Sequence, residues 1–267
     1  MELIIKNGKL LKYFPPRESD ALVLPDGVNA IGDHAFSGAD VVRVVLRREV
    51  TSIGLGAFDG CTELESIELP ESLGYIGREA FRGCVKLTGV TIPKKTERLN
   101  NDCFFGCGSL TSVSLHEKLI FGTNVFDCCG SIARVDIGSV SIRSFALGTE
   151  TSSIERLARA VRYGTIPDRI HGALSAQLAA ELFLRFGNEQ AKIFLRRNAV
   201  KSFKYLMCDG RTDLLIGLAA EKEIVSRDLD ALIEAAISTE QHEVYIMLTG
   251  LRHGTQPESS MTDRFAL

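Results

Sequence analysis

Residues 76–93 read IGREAFRGCVKLTGVTIP, and residues 53–70 read IGLGAFDGCTELESIELP. The two stretches are one phrase written twice: an isoleucine-glycine pair, an alanine-phenylalanine pair, a glycine-cysteine pair, then an alternating apolar run closed by proline. Catalytic chemistry has no use for duplicate copies of such a phrase, whereas stacking has. Taking the phenylalanine as the ruler, the phrase recurs at Phe36, Phe58, Phe81, Phe104, Phe126 and Phe145, at spacings of 22 or 23 residues and a final spacing of 19. Five residues before each phenylalanine stands an apolar residue (Ile31, Ile53, Ile76, Leu99, Phe121, Val140), and next to it Gly32, Gly54, Gly77, Asn100, Gly122 or Ser141. Three residues after stands Ala39, Cys61, Cys84, Cys107, Cys129 or Gly148.

Self-similarity at a fixed period of 20 to 50 residues is the signature of a solenoid. The apolar runs Val44/Leu46, Ile67/Leu69, Val90/Ile92, Val113/Leu115 and Val135/Ile137 have period two, so two side chains point inward and the residue between them points out. Each coil is expected to supply one short strand, closed by Pro25, Pro70 or Pro93 where a proline is present. One coil cannot bury its own apolar residues, but neighbours stacked at the strand spacing can. The phenylalanines are expected to form an aromatic spine, and the glycines of the isoleucine-glycine pairs to provide positive φ at a bend. Before the repeats, LIIKNGKLLKYF holds an Asn7-Gly8 hairpin signal between two apolar runs, which reads as a cap over residues 1–20.

The phrase IGxxAFxGCxxLxxIxLP resembles the BspA-type leucine-rich repeat found in bacterial surface and host-associated proteins. The resemblance covers about residues 20–148. It implies a right-handed solenoid of six coils and a surface for binding another protein.

The period changes after Phe145. Ser152 and Glu155 fit a capping box, and Ile154, Leu157, Ala158 and Val161 fall on one helical face. Further helical blocks follow, separated by Gly164–Pro167, Gly187-Asn188 and Asp209-Gly210. ALIEAAISTEQHEVYIMLTG is similar to the paired helices of an ankyrin repeat, although the TPLH opening of that family is absent. The expected organisation is α+β by halves: a solenoid over 1–148 and an all-helical, ankyrin-like array over 149–267, with a frayed tail from about residue 254.

Bulk properties leave these readings standing. The chain has 267 residues, a net charge of −3 and a 45% hydrophobic content, and neither half is a polybasic module for nucleic acid. The N-terminus has no apolar run long enough for a leader, and no stretch is long enough for a membrane span. Seven cysteines is an odd number, which favours a reducing cytoplasm over a disulfide scaffold. The expected location is therefore cytoplasmic, or the cell surface or exterior if a leader has been removed.

Cys61, Cys84, Cys107 and Cys129 recur at the repeat period, so they read as a buried column packing like small hydrophobes. Cys103 takes the place of Ala35, Ala57 and Ala80 and reads as core. No C-x2-C pair seeds a zinc site, and neither metal nor cofactor is expected. His34 and His116 read as outward filler. The basic stretch FLRRNAVKSFKYL reads as a solvated face, with Phe194, Phe203 and Leu206 turned to the core. No nucleophile-base signature is present.

What remains is the strand face. The outward residues form one column, Val45, Glu68, Thr91, Ser114 and Asp136, beside a second, Arg43, Ser66, Gly89, Ser112 and Arg134. Small, polar and mixed in charge, they suit a polypeptide or glycan better than a phosphate backbone. The expected function is a non-enzymatic interaction module that binds a polypeptide on this face. The alternative is an enzyme or redox-active protein using the cysteines or a non-local triad.

Overall fold

Two short strands per coil, not one, build the first half of the protein. The computed structural model describes residues 2–14, 21–130, 132–143, 151–167 and 172–253. The chain divides into two compact units, Met1–Tyr163 and Gly164–Leu267.

In the first unit, β1 (Glu2–Lys6) and β2 (Lys9–Phe14) form the expected hairpin, turning through Asn7 and Gly8 at φ 52° and 75°. These are the angles of a tight I′ turn, which Asn-Gly adopts at low cost. The outward-column strands are β3 (Leu22–Val23), β5 (Arg43–Val45), β7 (Ser66–Glu68), β9 (Gly89–Thr91), β11 (Ser112–Leu115) and β13 (Arg134–Ile137). The isoleucine-glycine segments supply the rest: β4 (Ala30–Ile31), β6 (Ser52–Ile53), β8 (Tyr75–Ile76), β10 (Arg98–Leu99) and β12 (Ile120–Phe121). They join the hairpin in one sheet of order β1-β2-β4-β6-β8-β10-β12. The register runs Leu10, Ile31, Ile53, Ile76, Leu99, Phe121, parallel throughout. The expectation of one strand per coil missed this second sheet because a two-residue strand carries no alternation to detect.

Between the two strands, the AFxGC segment is also stacked. The amides of Phe36, Phe58, Phe81 and Phe104 donate to the carbonyls of Ala57, Ala80, Cys103 and Val125 of the following coil at 2.7–2.9 Å. This ladder holds the rings of Phe36, Phe58, Phe81, Phe104 and Phe126 in a stack, with centroids 4.6, 5.1, 5.0 and 5.6 Å apart and planes within 10°. Tyr13 covers the first ring at 5.0 Å. Phe145 lies outside the described residues.

The glycines of the isoleucine-glycine pairs do not adopt the expected positive φ. A Cβ on Gly32 would lie 2.6 Å from the Leu10 carbonyl oxygen, and one on Gly77 would lie 2.5 Å from the Gly54 carbonyl. They are glycines because consecutive coils touch backbone to backbone there. Positive φ belongs instead to the glycine after each phenylalanine (Gly38, Gly60, Gly83, Gly106) and to the column His34, Gly56, Glu79, Asp102, Asn124.

The parallel run ends in a reversal. β14 (Val140–Arg143) pairs antiparallel with β13 through a turn at Gly138-Ser139, with Val140 opposite Ile137. Val140, expected to start another coil, closes the sheet instead. The spacing of 19 residues leaves too little chain for a full circuit. α1 (Thr151–Tyr163) begins one residue ahead of the expected cap at Ser152, packs against β13, and buries Ile154, Leu157 and Ala158. Expected with the helical half, it belongs to the solenoid unit.

The second unit contains α2 (Gly172–Phe186), α3 (Glu189–Arg197), α4 (Ala199–Cys208), α5 (Thr212–Ala220), α6 (Lys222–Val225), α7 (Leu229–Ser238) and α8 (His242–Arg252). Phe203 and Leu206 are buried, and Arg196, Arg197, Lys201 and Lys204 are exposed, so the basic stretch is a solvated face. The α4/α5 and α7/α8 hairpins repeat at 30 residues. Gly210 and Glu240 take left-handed φ of 64° and 57° at the same place. The amides of Arg211 and Gln241 return to Leu206 and Ala236, and those of Leu215 and Tyr245 to Arg211 and Gln241. The likeness to ankyrin units rests on these paired helices alone.

Candidate strand-face interaction surface

The two outward columns are in register. Val45 stands beside Glu68, Thr91 beside Ser114, and Ser114 beside Asp136. Arg43 stands beside Ser66, Gly89 beside Ser112, and Ser112 beside Arg134. The pairing is laddered in two blocks, β3-β5-β7 and β9-β11-β13-β14. Between them the Thr88 amide donates to the Glu65 carbonyl at 3.2 Å. Arg43, Glu68, Thr91 and Arg134 are exposed, and Val45, Ser66, Ser112, Ser114 and Asp136 are half-buried. Every candidate residue thus stands on the surface, while its neighbours Val44, Ile67, Val90, Val113 and Val135 lie in the core.

The face is hollow. A depression of about 600 Å³ is lined by Glu68, Thr91, Ser112, Ser114, Arg134 and Asp136 over a floor that includes Gly89. A second, of about 370 Å³, lies beside it over Arg43, Ser66, Lys86 and Thr88. Gly89 keeps the floor open, since a Cβ there would lie 2.8 Å from the Ser112 hydroxyl. Two of the charges are already satisfied. Arg134 Nε donates to both Asp136 carboxylate oxygens at 3.0 and 2.8 Å, and Lys86 pairs with Glu63 at 2.5 Å. Glu68 has no ion-pair partner among the described residues. The hydroxyls of Thr91, Ser112 and Ser114 can each donate and accept, which matches the paired donors and acceptors of a peptide backbone.

One member of the face was missed from sequence. Val23 pairs with Val45 and extends the first column by a coil. The signal was present in Leu22–Pro25, which has the apolar-x-apolar-proline pattern of later coils.

The other candidate groups are accounted for by packing. Cys61, Cys84, Cys107 and Cys129 each donate a thiol hydrogen bond to the phenylalanine carbonyl of the preceding coil (Phe36, Phe58, Phe81, Phe104) at 3.0–3.2 Å. Burial pushes the Cys61 thiol up to about 12 and raises Cys84 and Cys103 as well, so these thiols are poor nucleophiles at neutral pH. Cys128 and Cys208 are exposed. His34 is exposed as expected, but His116 is not outward filler. It is buried, with Nε2 2.8 Å from the Thr96 carbonyl oxygen. It occupies the strand-closing place of Pro70 and Pro93, where the chain turns inward. In the helical unit, Arg211 is buried against Glu181, Gln177 and Asp213. No local pattern announces that network, because Glu181 and Arg211 come together only through the packing of α2 on α5. Among the described residues no group of three or more His, Cys, Asp or Glu is placed to hold a metal ion. No helix there is long and apolar enough to cross a membrane.

Comparison with known proteins follows the same outline. No curated protein matches the chain. Among solved structures, a T. pallidum leucine rich repeat protein is 38% identical, covering 48% of this chain and 62% of that one, with a TM-score of 0.45. A leucine rich cell surface protein from Faecalibacterium prausnitzii is 28% identical over 49% of this chain and 35% of that one, with a TM-score of 0.47. The pneumococcal vaccine antigen PcpA is 25% identical over 48% and 34%, with a TM-score of 0.43. The chain therefore spans less than two thirds of the length of each. Residues 22–150 match the BspA type leucine rich repeat region in six copies.

Proposed function

We propose that the protein is a non-enzymatic interaction module that takes up an extended polypeptide segment along the strand face of its solenoid. The observation that carries this reading is the in-register column Glu68, Thr91, Ser114, Asp136 lining a depression of about 600 Å³. Six stacked strands span about 24 Å, enough for about seven residues of extended chain. The hydroxyls answer the backbone of such a segment, and Glu68 answers a basic side chain on it. The leucine-rich repeat family itself suggests protein interaction, an analogy at the level of fold. Against the enzyme alternative, the column thiols are buried and burial holds Cys61 and Cys84 protonated, while the hydrogen bond from the Cys107 thiol lowers Cys129, so redox or nucleophilic chemistry would fall to Cys129 or to the exposed Cys128 and Cys208.

The test is affinity capture from a lysate of the source organism with the chain immobilised, compared with a variant carrying Glu68→Lys, Thr91→Lys and Ser114→Lys. The three side chains point outward, so each change is expected to cost within about 0.5 kcal/mol. The variant should melt close to the parent and lose its captured polypeptide. Undiminished capture by the folded variant would remove the strand face as the site.

A further inference from the structure

The seven-stranded sheet of the solenoid unit ends in a strand with one neighbour: β1 pairs with β2 and, among the described residues, with nothing else. Lys6 and Lys9 flank the two-residue turn, so they exchange both main-chain hydrogen bonds. Alternation along β1 then turns the amides and carbonyls of Leu3 and Ile5 away from β2. Such an edge is a template for another strand unless a proline, a bulge or a covering element guards it. β1 has no proline, its register irregularity falls in β2, and no described element covers it. Ile4 is 45% exposed and Ile5 41%. Glu2, Ile4 and Lys6 alternate with Leu3 and Ile5, so the three share one face of the strand. Glu2 and Lys6 are exposed without an ion-pair partner among the described residues. Lys6 instead stands opposite Lys9, and like charges directly across a ladder repel.

We infer that β1 is a docking edge for a second copy of the chain, the two β1 strands pairing antiparallel about a two-fold axis through Ile4. The strand reads ELIIK, and its charges are complementary to themselves in that register. Glu2 of each copy falls opposite Lys6 of the other, so two ion pairs form and each Lys6 gains a carboxylate beside Lys9. Leu3 falls opposite Ile5, and Ile4 opposite Ile4. The free main-chain groups agree with the charges, since Leu3 and Ile5 then meet as the hydrogen-bonded pairs. A shift by one residue sets these free groups against groups already turned to β2. A shift by two restores the hydrogen bonds but sets Glu2 or Lys6 opposite Ile4. The contact is the same patch on both copies and closes at two. It runs two seven-stranded sheets into one and uses neither outward column, since those strands belong to other sheets.

Sedimentation equilibrium of the full chain tests this, alongside Glu2→Lys, Lys6→Glu and the two changes combined. Both side chains are exposed, so every variant should keep the far-ultraviolet spectrum of the parent. Strands of five residues make a contact smaller than a standard interface, so the parent should be a reversible dimer that loosens as salt is added. Each single variant sets like charges opposite one another at both ends and should weaken the dimer about tenfold. An equimolar mixture of the two single variants should associate again at least as tightly as the parent, because every facing pair is then of opposite sign. The combined variant, with both signs exchanged, should dimerise like the parent. So should the Glu68/Thr91/Ser114 lysine variant, which separates this edge from the strand-face reading. A parent that stays monomeric would overturn the inference, as would a dimer indifferent to the single changes or a mixture that associates no better than its components.

Discussion

Two columns of the solenoid use left-handed backbone, and the one that follows the phenylalanines is interrupted by a cysteine. Gly38, Gly60, Gly83 and Gly106 hold φ between 66° and 75°, and Cys128 holds 61° at the same place in the last coil. A side chain in that region costs about 1–2 kcal/mol that glycine does not. Cys128→Gly should therefore raise stability by about 1 kcal/mol, read as a higher urea midpoint, and remove one of the two thiols that react without denaturant. The opposite result is expected at Gly77, where a new Cβ would sit 2.5 Å from the Gly54 carbonyl carbon and oxygen and 2.7 Å from the Leu55 nitrogen. All three are main chain and cannot rotate away. Gly77→Ala should cost about 3 kcal/mol or more, at the high end for overpacking. The two glycine columns were indistinguishable in sequence because left-handed φ and close backbone approach both demand the missing Cβ. Only the packing of neighbouring coils decides which demand applies.

Among elements, the cysteine column links packing to pH. Each of its thiols donates to a phenylalanine carbonyl one coil back, so it doubles as a small hydrophobe and a second donor to a carbonyl that already accepts from the amide three residues on. Cys61 moves from an ordinary value of 9.0 to about 12, chiefly because burial disfavours the thiolate, and burial raises Cys84 and Cys103 too. A raised thiol holds its proton in the folded state while the unfolded chain gives it up. Its contribution is complete below pH 9 and is lost as pH climbs from there toward 12. The folded state should lose about 1.4 kcal/mol per pH unit for each such thiol in that window. Denaturant midpoints at pH 7.5, 9 and 10.5 check this, and Cys84→Ala should flatten the slope by one thiol. A pH-independent midpoint across that range would mean the thiols are not desolvated. The column, its burial and the aromatic spine beside it were legible from the 22- and 23-residue spacing. The two-residue strands β4, β6, β8, β10 and β12 were not, since nothing alternates in two residues. Nor was the 30-residue helical period, since Gly210 is matched by Glu240 and the punctuation of the first hairpin is missing from the second.

At the scale of the whole molecule, the outward columns on the strand face were read correctly from period two alone, because a solenoid repeats one local geometry and each coil confirms the last. The far end of the solenoid was not read, because there the repeat stops and tertiary packing takes over. β14 reverses the sheet, and α1 lies against β13 with Ile154, Leu157 and Ala158 removed from solvent. The helix was expected to open the second domain, yet it closes the first, and the division falls after Tyr163. A fragment ending at residue 148 would leave the core side of the last coil bare. One ending at Tyr163 keeps its cover. Burying Ile154 and Leu157 is worth about 1.5–3 kcal/mol each, and a stacked array transmits the loss only through nearest neighbours. Fragment 1–163 should therefore unfold in one transition at a clearly higher urea concentration than fragment 1–148, whose last coils should fray first and expose Cys129 to thiol reagent below the main transition. Coincident midpoints for the two fragments would return α1 to the helical half and leave β14 as the sole closure of the solenoid.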